Sequence, residues 1–494
     1  MNPSVEGGPQ LAQNKKKDHL RDFLAIDERE SLVAWAQGTA GKLLIFVIAV
    51  IAVATYFPWW ESALVVGAAM AMAYLPNLRN RILFTTTWVT AFLEIGSSEN
   101  QVLKDIGVVL QNEHVTGIPA MLLAFAFLAA VMLGAGAMLA FVRRNPKSFL
   151  ARRPLVTLLA VEVLLCTLPA LNALQGLPRV LLWSMLIVLT PYVWFLPYAI
   201  VDQRSKNPSD PVLQMGVLRP FWSPTYLPFG KGAAFLRKTQ AKTPKDLAIT
   251  QIKAVKLLLW SHVLRGLKSG LSWLFQEQLQ VPRFNVALDA FLRGDAVPTA
   301  MAWASITLAT VQYSLQIAMW AGLFIGIARL AGYRLPRGSW RPLESRTLME
   351  YFNRFHFYFK ELLVDFFFVP TFFTVFRNYP RLRMFFATFM AAGIGNALWH
   401  FFYDIQVLTS MGLVKALNSF TSYAFYSVVL ATGIGLSQVR ASLGIRPSAT
   451  LIGRLYSFLF VWSFVVCLHV FGDESRDHSL TERLQFFLSL FGVL

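Results

Sequence analysis

The sequence predicts an all-α, polytopic integral membrane protein with about ten to thirteen membrane-embedded helices, each near the length a bilayer requires. Three observations predict this. Mean hydropathy is +0.50, and charged residues make up only 15% of the chain, where a soluble protein carries about a quarter. Apolar runs recur along nearly all 494 residues, which favours one membrane domain over several soluble ones. The Lys and Arg residues sit mainly in the short loops between those runs. A net charge of +18 is therefore an orientation signal rather than a nucleic-acid surface. Forty-one Phe and fourteen Trp suit lipid-facing surfaces and interfacial belts. Two cysteines, Cys166 and Cys467, both lie in apolar runs and permit neither a disulfide framework nor a CxxC metal pattern.

Residues 1–41 read as a cytoplasmic leader without a cleavable signal peptide. It carries Lys15-Lys16-Lys17 and is expected to be partly disordered, with an interfacial helix over Asp18 to Gln37. Residues 42–201 hold the N-terminal spans, expected at 42–57, 62–76, 80–96, 117–142, 154–172 and 179–201. The leader, Arg79/Arg81, Arg143 to Arg153 and Arg204/Lys206 all fall on one side, whereas the loops 58–61, 97–116 and 173–178 contain only Lys104. The positive-inside rule then places the N-terminus in the cytoplasm. The Pro-, Lys- and Gly-rich segment 202–246 reads as a cytoplasmic loop with short interfacial helices. Residues 247–494 form the core, with spans at 247–275, 299–331, 384–408, 413–438 and 451–472 and a short apolar tail helix within 480–494. The first of these carries Lys253, Lys256, Arg265 and Lys268, so it must be amphipathic or line a polar interior. The stretch 347–376 lies between two basic loops, Arg334 to Arg346 and Arg377 to Arg383. With both loops on one side it cannot cross simply and must be broken or re-entrant.

Ionisable groups are costly in lipid, so an intramembrane histidine is a functional-site hypothesis by default. On a helix over 384–408, Asn396, His400 and Asp404 are spaced i, i+4, i+8 and share a face, with Tyr403 beside them. The plainer reading is a polar stripe joining one helix to another. His469 and His262 read as structural. In 351–370, Asn353, Arg354, His356, Lys360, Glu361 and Asp365 interrupt a strongly aromatic run. Here the plainer reading is an interfacial helix whose charges pair.

Together these segments resemble the membrane-bound O-acyltransferase family, in its bacterial surface-polymer branch. Family members carry a pattern close to F-W-R-R-W-H-x(8)-D-x(4)-P. Phe352 and Phe355, each in place of Trp, with Arg354, His356, Asp365 and Pro370, match it in one register. The family's G-L-W-H-G is matched by Ala397-Leu398-Trp399-His400-Phe401. Upstream, Gly326-Ile327-Ala328-Arg329-Leu330-Ala331-Gly332-Tyr333-Arg334-Leu335-Pro336 is similar to a G-I-A-R-L-L-G-F-R-L-P run, and Trp340-Arg341-Pro342 to the N-R-P after it. The resemblance covers roughly residues 215–440. The chain departs from the pattern at Ala397, Phe401, Asn353 and the stretch Gln316 to Gly322.

The resemblance implies transfer of an acyl group, acetyl by default, from acyl-CoA or a carrier thioester to a hydroxyl of a cell-surface polysaccharide or similar acceptor. No tightly bound cofactor, metal or nucleic acid is implied. The implied setting is the bacterial inner membrane. An alcohol is a poor nucleophile at neutral pH, and His400 is the expected general base. His356 would polarise the carbonyl, hold the acceptor, or act only in positioning. Asn396, Asp404, Asn353 and Trp399 are the supporting or substrate-positioning candidates. The two histidines should face a common cavity, with His400 about eight residues, or roughly 12 Å, from the outer end of its helix. A transporter or channel, and a catalytically inactive family member acting as a scaffold, are the competing readings.

Overall fold

The computed structural model describes residues 26–97, 99–472 and 477–493, and among these the fold is all-helical, with no strand beyond an isolated bridge between Gln240 and Tyr333. Five described helices are long and apolar enough to cross a bilayer: Ala120–Arg144, Pro244–Gln278, Thr299–Leu330, Pro380–Tyr403 and Leu451–His469. The number rises to as many as eight if each of three bent pairs is one span: Glu30–Gln37 with Thr39–Ala54, Leu177–Val193 with Leu196–Gln203, and Ile405–Ser419 with Thr421–Ser442. Trp59–Tyr74 and Arg79–Ile95 have 16 and 17 residues. Such helices are about 24–26 Å long, short of a hydrocarbon core of about 30 Å. Eight is fewer than the expected ten to thirteen because that expectation includes embedded helices too short to cross alone.

Lys15 to Lys17 and residues 18–25 of the expected interfacial helix lie outside the described residues. Glu30–Gln37 is helical and turns by 90° into Thr39–Ala54, as an interfacial helix feeding a span would. The amphipathic character of Pro244–Leu271 has a direct cause. Lys256 and Lys253 both meet Asp27, the latter at 3.5 Å, and Arg265 donates to the Thr55 carbonyl at 2.7 Å. Burial opposes the charged form of Asp27, yet the Lys256 ammonium holds its carboxyl below the usual carboxylate range.

Hydrogen bonds between loops gather the basic segments at one end of the bundle. Arg204 donates to the Ala151 carbonyl at 3.1 Å, Asn80 to Asp210 at 2.9 Å, Arg237 to the Asn207 carbonyl at 3.2 Å, and the Arg334 amide to the Thr239 carbonyl at 2.7 Å. At the other end Glu113 joins two loops through Arg179 at 2.8 Å and the Gly176 amide at 2.7 Å. The segment 202–246 begins and ends at the basic end, but its middle dips into the fold. Thr87 donates to the Gly216 carbonyl at 2.9 Å and accepts from the Phe221 amide at 3.2 Å. Arg219, in the left-handed region at φ 58°, forms the far turn and pairs with Glu94 at 3.0 Å. Trp222 is fully buried.

The stretch 347–376 is broken, as its two basic flanks require. It comprises Leu348–Phe355, Phe357–Leu363, a wide π turn at Val364–Phe368 and Val369–Thr374. A second π turn, Met390–Gly395, joins Pro380–Phe389 to Asn396–Tyr403. The two π turns pack on each other, and Gly395 permits the approach. A Cβ there would lie 2.8 Å from Phe367 Cδ2 and 3.0 Å from Leu363 Cδ2. Gly395→Ala should therefore cost about 1–3 kcal/mol by overpacking, against about 1 kcal/mol gained by removing a helix glycine. Thermal unfolding of the detergent-solubilised protein should shift downward. A midpoint equal to or above that of the unaltered protein would refute close packing of the two turns.

Candidate active site

His356 occupies the break between Leu348–Phe355 and Phe357–Leu363, with φ −138° and ψ 69°. A break inside a membrane domain frees backbone groups that need partners. The loop after Thr299–Leu330 supplies them: Trp340 N donates to the Arg354 carbonyl and Phe357 N to the Gly338 carbonyl, each at 2.8 Å. That loop is held in turn. Arg329 Nε donates to the Leu335 carbonyl at 3.0 Å, and Tyr358 donates to the Pro336 carbonyl at 3.0 Å. Gly338 fits because a Cβ would meet Ala321 Cβ at 2.6 Å. The Gly326-to-Pro336 run and Trp340-Arg341-Pro342 thus act architecturally: they set the conformation at His356.

His400 is one turn from the end of Asn396–Tyr403. Its imidazole lies 4.3 Å from the Tyr423 ring and 4.7 Å from the Trp399 ring. Phe359 touches both histidines, with its ring 5.6 Å from His356 and 6.0 Å from His400. The imidazoles are therefore separated by no more than those two lengths combined. Both line one cavity of about 550 Å³.

Asn353, Asn396 and Trp399 line the same cavity. Asn396 is buried, and its amide donates to Ser427 Oγ at 3.3 Å. Asp404 departs from expectation. It leaves helical geometry at φ −105°, ψ 45° and begins the next helix, Ile405–Ser419. The expected helix over 384–408 therefore ends at Tyr403, the i, i+4, i+8 stripe loses its third member, and Asp404 is not among the residues lining the cavity. The distance expected from His400 to a helix end shortens accordingly, from eight residues to three.

Other walls carry residues that the motif reading passes over. Tyr426, Leu430, Ile434 and Gln438 form an i, i+4, i+8, i+12 stripe on Thr421–Ser442, with Tyr423 one turn earlier. That periodicity is the signal by which they could be found. Pro224, Thr225, Leu227 and Phe229 of the inward-dipping segment close another side, where Tyr226 meets Tyr403 at 4.9 Å. From Tyr423 to Gln438 the cavity follows its helix for about 22 Å. At the Gln438 end, Thr388 donates to the Gln438 side chain.

A partly buried ionic cluster braces this arrangement. Lys231 meets Asp365 at 2.7 Å and Glu361 at 2.8 Å, and Tyr198 donates to Asp365 at 3.0 Å. Burial alone would lower the Lys231 pKa, but the two carboxylates outweigh it and hold it above its ordinary value. No group of His, Cys, Asp and Glu suited to a metal ion occurs among the described residues. No protein-family model matches the chain, and no curated protein matches it at a significant level.

Proposed function

We propose that the chain is a membrane-bound O-acyltransferase that moves an acyl group, acetyl by default, from a thioester to a hydroxyl of a surface polysaccharide or similar acceptor. The observation that carries the reading is the cavity shared by His356 and His400. The two residues are 44 positions apart in sequence, and each belongs to a separate motif of the family resemblance. In this reading the N-terminus is cytoplasmic in a bacterial inner membrane. The thioester, acyl-CoA or a carrier-bound form, enters from the Gln438 end, and the acceptor arrives near Tyr423 and Tyr403.

The acceptor hydroxyl attacks the thioester carbonyl. His400 takes the hydroxyl proton as the carbon–oxygen bond forms, and the carbon–sulfur bond then breaks. The proton passes to the departing thiolate, so the products are an ester and a free thiol. His356 acts across the cavity on the carbonyl or on the acceptor. Asn396 and Trp399 shape the His400 side and Asn353 the His356 side.

The test uses purified protein in sealed vesicles with labelled acetyl thioester and a polysaccharide acceptor. Alkali-labile acetyl ester should accumulate, and only when donor and acceptor are on opposite faces. Solute movement through the protein with no ester formed or thiol released would instead support the transport reading.

A further inference from the structure

A second cavity of about 930 Å³ lies beside the first and shares Met349 and Asn353 with it. Its walls have two distinct characters. Val428, Thr432 and Leu436 on Thr421–Ser442 face Tyr456, Phe460 and Phe464 on Leu451–His469. Each set repeats at i, i+4, i+8, so two helices form a channel along their axes. Leu436 is 54% exposed and Tyr456 71% exposed, so the channel opens sideways where lipid would lie. The basic end is different. Arg346, Arg440 and Arg446 line it, and none has a carboxylate at ion-pair distance among the described residues. Glu350 is the only carboxylate among the described residues of the lining. It is committed to the Arg354 guanidinium and to the Arg346 amide at 2.9 Å. The charge left over is positive, and it sits where Thr421–Ser442 ends.

We propose that this cavity binds an anionic phospholipid, with its phosphate on Arg346, Arg440 and Arg446 and an acyl chain in the channel between the two helices. The occupant follows from the pairing of features. A soluble anion would use the arginines and leave the apolar channel open. A neutral lipid would use the channel and leave three arginines without a counter-charge. An anionic lipid meets both requirements in the order that a bilayer presents them, headgroup outward and chain inward. The two cavities meet at Met349 and Asn353, but the lipid proposal does not depend on the proposed reaction.

The experiment is native mass spectrometry of the full-length protein in detergent, titrated with phosphatidylglycerol, phosphatidylcholine and inorganic phosphate. Phosphatidylglycerol should bind in preference to phosphatidylcholine and should not be displaced by millimolar phosphate or coenzyme A. Each arginine near the surface contributes roughly fivefold to anionic-lipid binding. Arg440→Gln with Arg446→Gln should therefore weaken phosphatidylglycerol binding by roughly 25-fold and leave phosphatidylcholine binding unchanged. Both arginines are exposed, so the double variant should fold normally by circular dichroism. Phe460→Asp should weaken both lipids by placing a carboxylate against the acyl chain in the apolar channel. Equal retention of phosphatidylglycerol by the double variant would overturn the proposal. Displacement by phosphate or coenzyme A would also overturn it, by assigning the arginines to a soluble phosphate ligand.

Discussion

His400→Ala is expected to lower acyl transfer by about 10²- to 10⁴-fold, the range that loss of a positioned general base produces. The fold should survive. His400 sits in a cavity wall rather than a closed core, and its ring contacts are with Tyr423, Trp399 and Phe359. Each aromatic contact of that kind is worth about 0.5–1.5 kcal/mol, so loss of the ring should lower stability without preventing folding. His356→Ala should lower transfer less. Its backbone break persists without the imidazole, because the partners of that break are the Trp340 amide and the Gly338 carbonyl. The measurement is ester formed on extracellular polymer in cells carrying each variant at matched membrane abundance. Asn396→Ala, which removes from the helix of His400 a buried amide bonded to Ser427 of Thr421–Ser442, serves as a packing control and should retain more activity than His400→Ala. Unchanged acylation by His400→Ala would exclude His400 as the base and put the scaffold and transport readings ahead.

Much of the fold was legible because lipid imposes a strict length and polarity rule. Spans expected at 117–142, 299–331 and 451–472 correspond to Ala120–Arg144, Thr299–Leu330 and Leu451–His469 within a few residues at each end. The break in 347–376 was legible as well, because basic loops on both flanks leave a simple crossing no consistent topology. What escaped was set by tertiary contacts. Nothing local at Asp404 announces that the helix stops there. Asp404 instead opens Ile405–Ser419, and that helix packs against Gln101–Asn112 and Pro154–Ala170. The inward dip of 211–229 looks like a polar, proline-rich loop because its buried backbone is satisfied by distant groups such as Thr87. The common cavity of His356 and His400 was anticipated from family resemblance. The stripe from Tyr426 to Gln438 was readable from periodicity alone, yet in a helix so apolar it looks like ordinary packing.

The second large effect is expected at Lys231. Its ammonium lies between Asp365 and Glu361, and all three side chains keep less than a third of their exposure: 17%, 31% and 21%. Lys231→Met would leave two neighbouring carboxylates with less positive charge between them. Glu361 would keep Lys360, at 2.7 Å, and Asp365 would keep only the Tyr198 hydroxyl among its described partners. Removing one member of a fully buried ionic cluster costs about 3–5 kcal/mol, and the residual exposure here places the loss toward the lower figure. The consequence reaches the cavity. Lys231 closely follows the 224–229 wall, and Glu361 and Asp365 belong to the element that carries His356. Freeing one from the other should loosen the cavity as well as the fold. Replacing all three groups, Lys231→Met with Glu361→Gln and Asp365→Asn, removes the stranded charges and should recover much of the stability, because neutral replacement of a whole ionic cluster is often nearly neutral in energy. Thermal unfolding of the single and triple variants in one detergent decides the matter. A single variant as stable as the unaltered protein, or a triple variant no better than the single, would mean that the cluster does not join the inward-dipping segment to the His356 element.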